Sequence, residues 1–206
     1  MENEFEKAMR ILQSVPPTAT LLLHSCCAPC SSACLELLHR YMRVTVFYYN
    51  PNIREEEEYQ KRKAEQIRFL CETGWADFLD CDHDVPAFDA VAAGLETCPE
   101  RGERCRRCYA LRLQKTAETA KEKGFDYFTT PLSISPYNIA RWINEIGYEE
   151  EARTGVKFLP SDFKKKGGYL RSVELSSEYG LYRQNFCGCP YSRRETPPKG
   201  GDAEEK

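Results

Sequence analysis

Seven of the eleven cysteines of this chain fall in three tight groups: Cys26, Cys27 and Cys30, then Cys105 and Cys108, then Cys187 and Cys189. Thiolates are soft ligands that select zinc, copper(I) or iron–sulfur clusters, and short segments carrying two or three each can converge on one site. The groups differ in what they specify. Adjacent cysteines such as Cys26-Cys27 do not easily chelate one zinc ion with tetrahedral geometry, but they can reach two metal atoms of one cluster, which leans toward iron–sulfur chemistry. Cys105-x-x-Cys108 has a metal-chelating spacing, and a helix start together with Arg104, Arg106 and Arg107 favours thiolate over thiol there. Its plainer reading is a structural zinc half-site. Cys187 and Cys189, separated by Gly188, could bind metal, or could close a small strained disulfide ring suited to electron exchange. Cys34, Cys71, Cys81 and Cys98 stand alone and read as small core residues or bystanders.

The elements that must position these thiols alternate apolar runs with amphipathic ones. Thr20 to His24 reads as a buried strand running into the first cysteine loop, with a helix from Ser31 to Arg43. Val44 to Asn50 is a second strand, stopped by Pro51 and followed by a charged helix from about Arg54 to Glu72. Trp75 to Cys81 is a third strand, Pro86 to Leu95 a helix, and the second cysteine pair opens a long helix through Lys123. Phe125 to Thr130 is a strand, Pro136 to Arg153 a helix, Val156 to Leu159 a last strand and Val173 to Gly180 a last helix. Strands alternating with helices predict an α/β fold: a parallel sheet with helices on both faces, residues 1–195 forming one domain and Thr196 to Lys206 a disordered polar tail. In such sheets ligands bind outside the carboxyl ends of the strands, which is where the Cys26-Cys27 loop falls. That turn holds thiols and a proline in place of a glycine-rich phosphate loop, so binding of NAD or ATP has little support.

Composition narrows the classes. A chain of 206 residues, 41% of them hydrophobic, can bury a substantial core without disulfide staples. No apolar run approaches the ~20 residues of a membrane span, and the charged start Met1-Glu2-Asn3-Glu4 does not read as a signal peptide. A cytoplasmic location is expected, and in a reducing compartment clustered cysteines are ligands or redox thiols more often than structural disulfides. The net charge of −3 hides an asymmetry: residues 1–100 carry nine Lys+Arg against 17 Asp+Glu, whereas residues 101–206 carry 20 against 15. The basic half includes Lys164, Lys165, Lys166, Arg171, Arg183, Arg193 and Arg194, a surface that could hold a nucleic-acid backbone. His24 beside Cys26 could donate a proton, although a histidine ending a buried strand is more often structural.

Several blocks in order resemble the cobalamin-independent epoxyqueuosine reductase family (QueH). They are His24-Ser25-Cys26-Cys27-Ala28-Pro29-Cys30-Ser31, Phe47 to Ile53 with Glu58-Tyr59, Arg104 to Cys108, Ser133 to Tyr137, Leu159 to Lys165, and Glu178 to Cys189. Glu55 to Glu58 and Pro131 depart from the family pattern without touching a cysteine motif. The resemblance implies a Rossmann-like fold of the adenine-nucleotide α-hydrolase type whose phosphate loop has become a cysteine loop. It also implies reduction of the epoxide of epoxyqueuosine to queuosine, with loss of water, in the anticodon loop of a tRNA. By the same resemblance Cys26, Cys27, Cys105 and Cys108 ligate a 4Fe-4S cluster and Cys187 with Cys189 form a redox-active dithiol. In an alternative, that pair and a carboxylate, for which Asp162 is the candidate, hold an additional mononuclear iron. An electron-donor protein or other reductant is a further implied partner. Tyr137, Tyr169, Tyr179 and Tyr182, beside Arg141, Arg171 and Arg183, are candidates for stacking on loop bases. Two other readings use the same residues: a zinc-binding RNA-interaction module held by Cys27, Cys30, Cys105 and Cys108, or a tRNA sulfurtransferase with Cys30 or Cys187 as persulfide carrier.

Overall fold

A computed structural model describes residues 2–192; the tail expected from Thr196, like Arg193 and Arg194, lies outside the described residues. Five strands, β1 (Thr20–His24), β2 (Arg43–Phe47), β3 (Asp77–Leu79), β4 (Tyr127–Thr129) and β5 (Lys157–Phe158), form one parallel sheet in the order β3-β2-β1-β4-β5. β1 is central, with Leu22 paired to Thr45 on one side and Phe128 on the other. Its leucine run is continuous because a central parallel strand is covered on both faces. Successive side chains point to opposite sides, so Leu21 and Leu23 enter one core and Leu22 the other.

The first core takes buried residues from α1 (Glu4–Ser14), α2 (Ala28–Leu38), α3 (Glu56–Thr73) and α7 (Gly168–Glu178). The second takes Tyr109, Leu113 and Ala117 of α5 (Glu103–Lys123) and Ile143 and Ile146 of α6 (Ala140–Thr154). The short α4 (Val85–Ala92) packs Phe88 and Ala92 beside Cys108 and Cys189. This is the parallel α/β arrangement expected from the alternation of elements, and the Rossmann-like fold that the resemblance implies. Among the described residues no helix is long and apolar enough to cross a membrane.

Several bounds differ from the sequence expectation, and four of the differences have a local reason. α1 was not anticipated, although its signal is plain in retrospect: Asn3 and Glu6 form a reciprocal capping box at 3.0 Å, and Ala8 and Leu12 bury one face. α2 starts at Ala28 rather than Ser31, with Cys27 as N-cap and Pro29 in the first turn, where a missing amide hydrogen costs nothing. Cys30 therefore belongs to the helix. α6 starts at Ala140 rather than Pro136, because Asn138 turns back to donate to the Leu132 carbonyl at 2.7 Å. α7 starts at Gly168 rather than Val173, where the backbone passes so close to the Phe163 carbonyl that no Cβ would fit.

Candidate metal centre and active site

Between β1 and β4 the chain leaves the sheet in opposite directions, which opens a crevice beyond their carboxyl ends. A cavity of about 470 Å³ occupies it, and Cys26, Cys30, Cys105, Cys108, Cys187 and Cys189 all line it. The three cysteine groups, distant in sequence, thus meet at one site.

The first group is pinned from three directions. The Ser25 amide bonds the Phe47 carbonyl at 2.9 Å, and Asn50 donates to the Ser25 carbonyl at 2.8 Å. The Ser25 and Ser31 hydroxyls both donate to Gln66 Oε1 of α3, at 2.8 and 2.9 Å. Cys27, buried behind the cavity wall, has its sulfur 3.8 Å from Cys26 Sγ and 2.7 Å from Cys30 Sγ. The three sulfurs lie within 4.8 Å of one another, close enough to share a metal ion. Hydrogen bonds from Cys27 and Cys30, with the charge of Arg112 adding to them, hold the Cys26 thiol well below its ordinary pKa. Burial pushes Cys27 up to about 12.

Cys105 and Cys108 sit one turn apart at the start of α5, and burial raises both, Cys108 to about 11. One turn further along, Arg112 is buried, lines the cavity and donates from Nε to the Cys108 carbonyl at 3.2 Å. Burial opposes its charge, but negative charge on the sulfurs of Cys108, Cys187 and Cys26 outweighs that cost and raises the Arg112 pKa above its ordinary value.

The third group is held by α3. Arg62 is buried, paired with Glu58 at 2.6 Å, and its guanidinium donates to the carbonyls of Cys187 and Phe186 at 3.2 and 3.4 Å. Gly188 has φ +102°, in the region that favours glycine, and a Cβ there would come within 2.9 Å of Ile53. Gln184 donates to Cys27 Sγ at 2.9 Å, linking this loop to the first group. Cys187 is exposed and Cys189 buried. The bond from Cys187, reinforced by the backbone amides of Tyr191 and Ser192, lowers Cys189 to about 5, and the same contact raises Cys187.

Other predicted residues separate by position. Asp162 does not line the cavity; its Oδ1 lies 3.8 Å from Lys164 Nζ. His24 has both ring nitrogens occupied, by Thr130 Oγ1 and the Tyr49 carbonyl at 3.0 Å each, and burial lowers it to about 4, so it is neutral and structural. Tyr137 and Tyr169 line the cavity. Tyr179 packs edge-on against Phe69, the Tyr182 hydroxyl donates to Glu58, and Arg171 pairs with Glu36 at 2.7 Å, which commits all three to the fold. Arg183 lines the cavity and donates to Ser176 Oγ at 2.9 Å. Sequence reasoning did not find Arg62, Arg112, Gln66 or Gln184. Arg112 was detectable as the residue one turn beyond Cys108 on the same helical face; the other three act across more than thirty positions of chain and left no local signal.

Comparison with known proteins agrees with this architecture. A family model described as epoxyqueuosine reductase QueH matches residues 21–195. The chain is 43% identical over 187 residues to an epoxyqueuosine reductase QueH of Streptococcus pyogenes serotype M1, covering 88% of this chain and 72% of the relative. It is 40% identical over 190 residues to one of Acinetobacter baylyi, covering 91% and 87%. With one of Thermotoga maritima it shares 32% identity over 191 residues, 91% of this chain and 97% of that one. A match that takes in every cysteine of the cavity, at these identities and coverages, places the chain in the QueH family.

Proposed function

We propose that this chain reduces the epoxide of epoxyqueuosine, carried in the anticodon loop of a tRNA, to the cyclopentene of queuosine with loss of water. The observation that carries the reading is the convergence of six cysteines and the buried Arg112 on one cavity, in a chain whose relatives are named for this reduction.

The donor atoms suit an iron–sulfur cluster: soft thiols reach one cavity from three elements, and the Cys26, Cys27 and Cys30 sulfurs lie within 4.8 Å of one another. Cys26, Cys27, Cys105 and Cys108 would hold a 4Fe-4S cluster. When bound, it supplies electrons one at a time.

The residues of the chain account for the rest of the balance. Losing the epoxide oxygen as water takes two electrons and two protons. Closure of the Cys187–Cys189 pair to a disulfide releases both electrons; with Cys189 as thiolate, the Cys187 thiol supplies one proton and water the other, and both leave with the oxygen as the C–O bonds break and the alkene forms. The polarisation of the pair, with Cys189 held toward thiolate by Cys187, prepares it for that closure. Arg112 places a fixed positive charge where an alkoxide develops as the first C–O bond breaks. An outside reductant, an electron-donor protein by our reading, reopens the disulfide. The alternative in which Cys187 and Cys189 hold a second iron needs a carboxylate such as Asp162, whose buried Oδ1 has no hydrogen-bond partner among the described residues; Asp162 does not line the cavity that Cys187 and Cys189 share, and we favour the dithiol.

The test is anaerobic purification and reconstitution, analysis for iron and acid-labile sulfide, and assay on tRNA containing epoxyqueuosine. We expect Cys26→Ser and Cys108→Ser to lose iron and sulfide, and Cys187→Ser and Cys189→Ser to keep them while losing turnover. Stoichiometric zinc without sulfide would overturn the cluster, and full activity in both Ser variants of the third group would overturn the dithiol.

A further inference from the structure

Thiols and arginines line much of the cavity, and two of its other lining residues are solvent-exposed tyrosines. Tyr137 is 71% exposed and Tyr169 is 40% exposed, among the large apolar side chains most open to solvent, and both line the same cavity. They come from the two segments that form the turn and the helix start where continuous helix and loop were expected. Tyr137 belongs to the turn before α6, which is fixed from beneath: Asn138 donates to the Leu132 carbonyl at 2.7 Å and accepts from the Tyr109 hydroxyl at 2.8 Å. Tyr169 is in the first turn of α7, next to Lys165 and Lys166, both exposed. Neither ring pairs with another aromatic side chain among the described residues, in contrast to Tyr179, which is edge-on to both Phe69 and Trp75. The cavity lining is cationic, with five arginines, Arg62, Arg101, Arg104, Arg112 and Arg183, against one carboxylate, Glu100.

Exposed rings held by rigid backbone beside a cationic cavity are what single-stranded RNA recognition requires, since every base offers a face to stack on and the backbone is anionic. We propose that Tyr137 and Tyr169 are a stacking clamp at the cavity mouth. Their rings hold the loop nucleotides that flank the extruded wobble nucleoside while that nucleoside enters the cavity. The inference rests on the tRNA reading above and adds to it the residues that grip the loop.

The probe is a hairpin RNA of a tRNA anticodon stem and loop, with guanosine at the wobble position and 2-aminopurine next to it, titrated into the full chain purified without oxygen. Removal of one stacking ring costs roughly tenfold in Kd, so Tyr137→Ala and Tyr169→Ala are each expected to weaken binding by about that factor. The double variant is expected to weaken it by roughly a hundredfold if the sites act independently. Tyr137→Phe and Tyr169→Phe keep the ring and are expected to bind as the parent does. The dependence of Kd on salt stays unchanged in the Ala variants, because no charge is removed, and the 2-aminopurine quenching seen with the parent is lost. Parent-like binding and quenching in both Ala variants would overturn the clamp and leave the tRNA reading standing. Failure of the parent chain to bind the hairpin would overturn both.

Discussion

The floor and the mouth of the cavity are built on opposite principles. On the floor, side chains tie distant segments to the cysteine loops: Gln66 accepts from Ser25 and Ser31, Arg62 serves Glu58 and two carbonyls, and Gln184 links the third cysteine loop to Cys27. At the mouth, Tyr137 and Tyr169 are exposed, with the exposed Lys165 and Lys166 just before Tyr169 in the chain. Redox chemistry needs sulfur atoms at set separations, and positional error there is penalised steeply. Recognition of a loop that must open its own bases gains from surfaces left solvated until the RNA arrives. The difference teaches where substitutions should unfold or inactivate the chain and where they should only loosen its grip on substrate.

The strongest way to break the floor is through the buried ion pair of Arg62 and Glu58. Arg62→Leu leaves Glu58 buried with Tyr182 as its only remaining side-chain donor among the described residues, and frees the Cys187–Cys189 loop. Removing one member of a buried pair costs about 3–5 kcal/mol, so the urea midpoint should fall sharply and turnover should be lost with it. A variant with the parent's midpoint would show that the floor is far less constrained than its hydrogen bonds imply. No mouth substitution is expected to approach this cost, since exposed side chains change stability by ~0.5 kcal/mol or less.

A smaller effect sharpens the contrast within the floor itself. Cys189, held near 5 by the bond from Cys187, has a folded pKa below the ordinary thiol value of 9.0. Its contribution to stability is therefore fully present above the unfolded pKa and is lost as the pH falls through about 5. In the metal-free reduced protein, the ultraviolet thiolate absorbance that Cys189→Ser removes should persist down to about pH 5. A midpoint near that of a free thiol would mean that the pair is not polarised and that Cys187 does not donate to it.

How much of this was legible beforehand follows the range of the interactions. The strand bounds of β1 were readable to the residue, because a run of leucines ended by His24 is a local pattern. The three cysteine groups announced a soft-metal or redox site by spacing alone, and their convergence followed from the rule that sites form at strand carboxyl ends. What could not be read was the scaffolding around them. Arg62 looks like one more charge on a charged helix, and only the fold brings it under a loop 125 residues away. The starts of α6 and α7 were misplaced because a side chain turning back on Leu132 and a backbone contact at Gly168 outweigh helix propensity there. Those two errors fall on the segments that carry Tyr137 and Tyr169, so at the mouth the residues were legible as stacking candidates while the backbone that carries them was not.

The smallest expected effect decides what lies just beyond the floor. Asp162 follows β5 and sits against Lys164, off the cavity wall, with its backbone carbonyl accepting from the Lys165 amide. Asp162→Asn keeps the shape of the side chain and removes its charge, so it disturbs the partly exposed contact to Lys164, worth at most about 1 kcal/mol. Iron content should be unchanged and turnover should stay within roughly threefold, because loss of a charge outside the site costs less than about 1 kcal/mol. The carboxylate would have to belong to the reacting site if the variant lost iron while keeping its acid-labile sulfide, since an amide is a far poorer ligand than a carboxylate for a second iron held with Cys187 and Cys189. Retained iron with retained turnover places the boundary of the chemistry at the thiols and Arg112, inside the wall that the sheet and α5 provide.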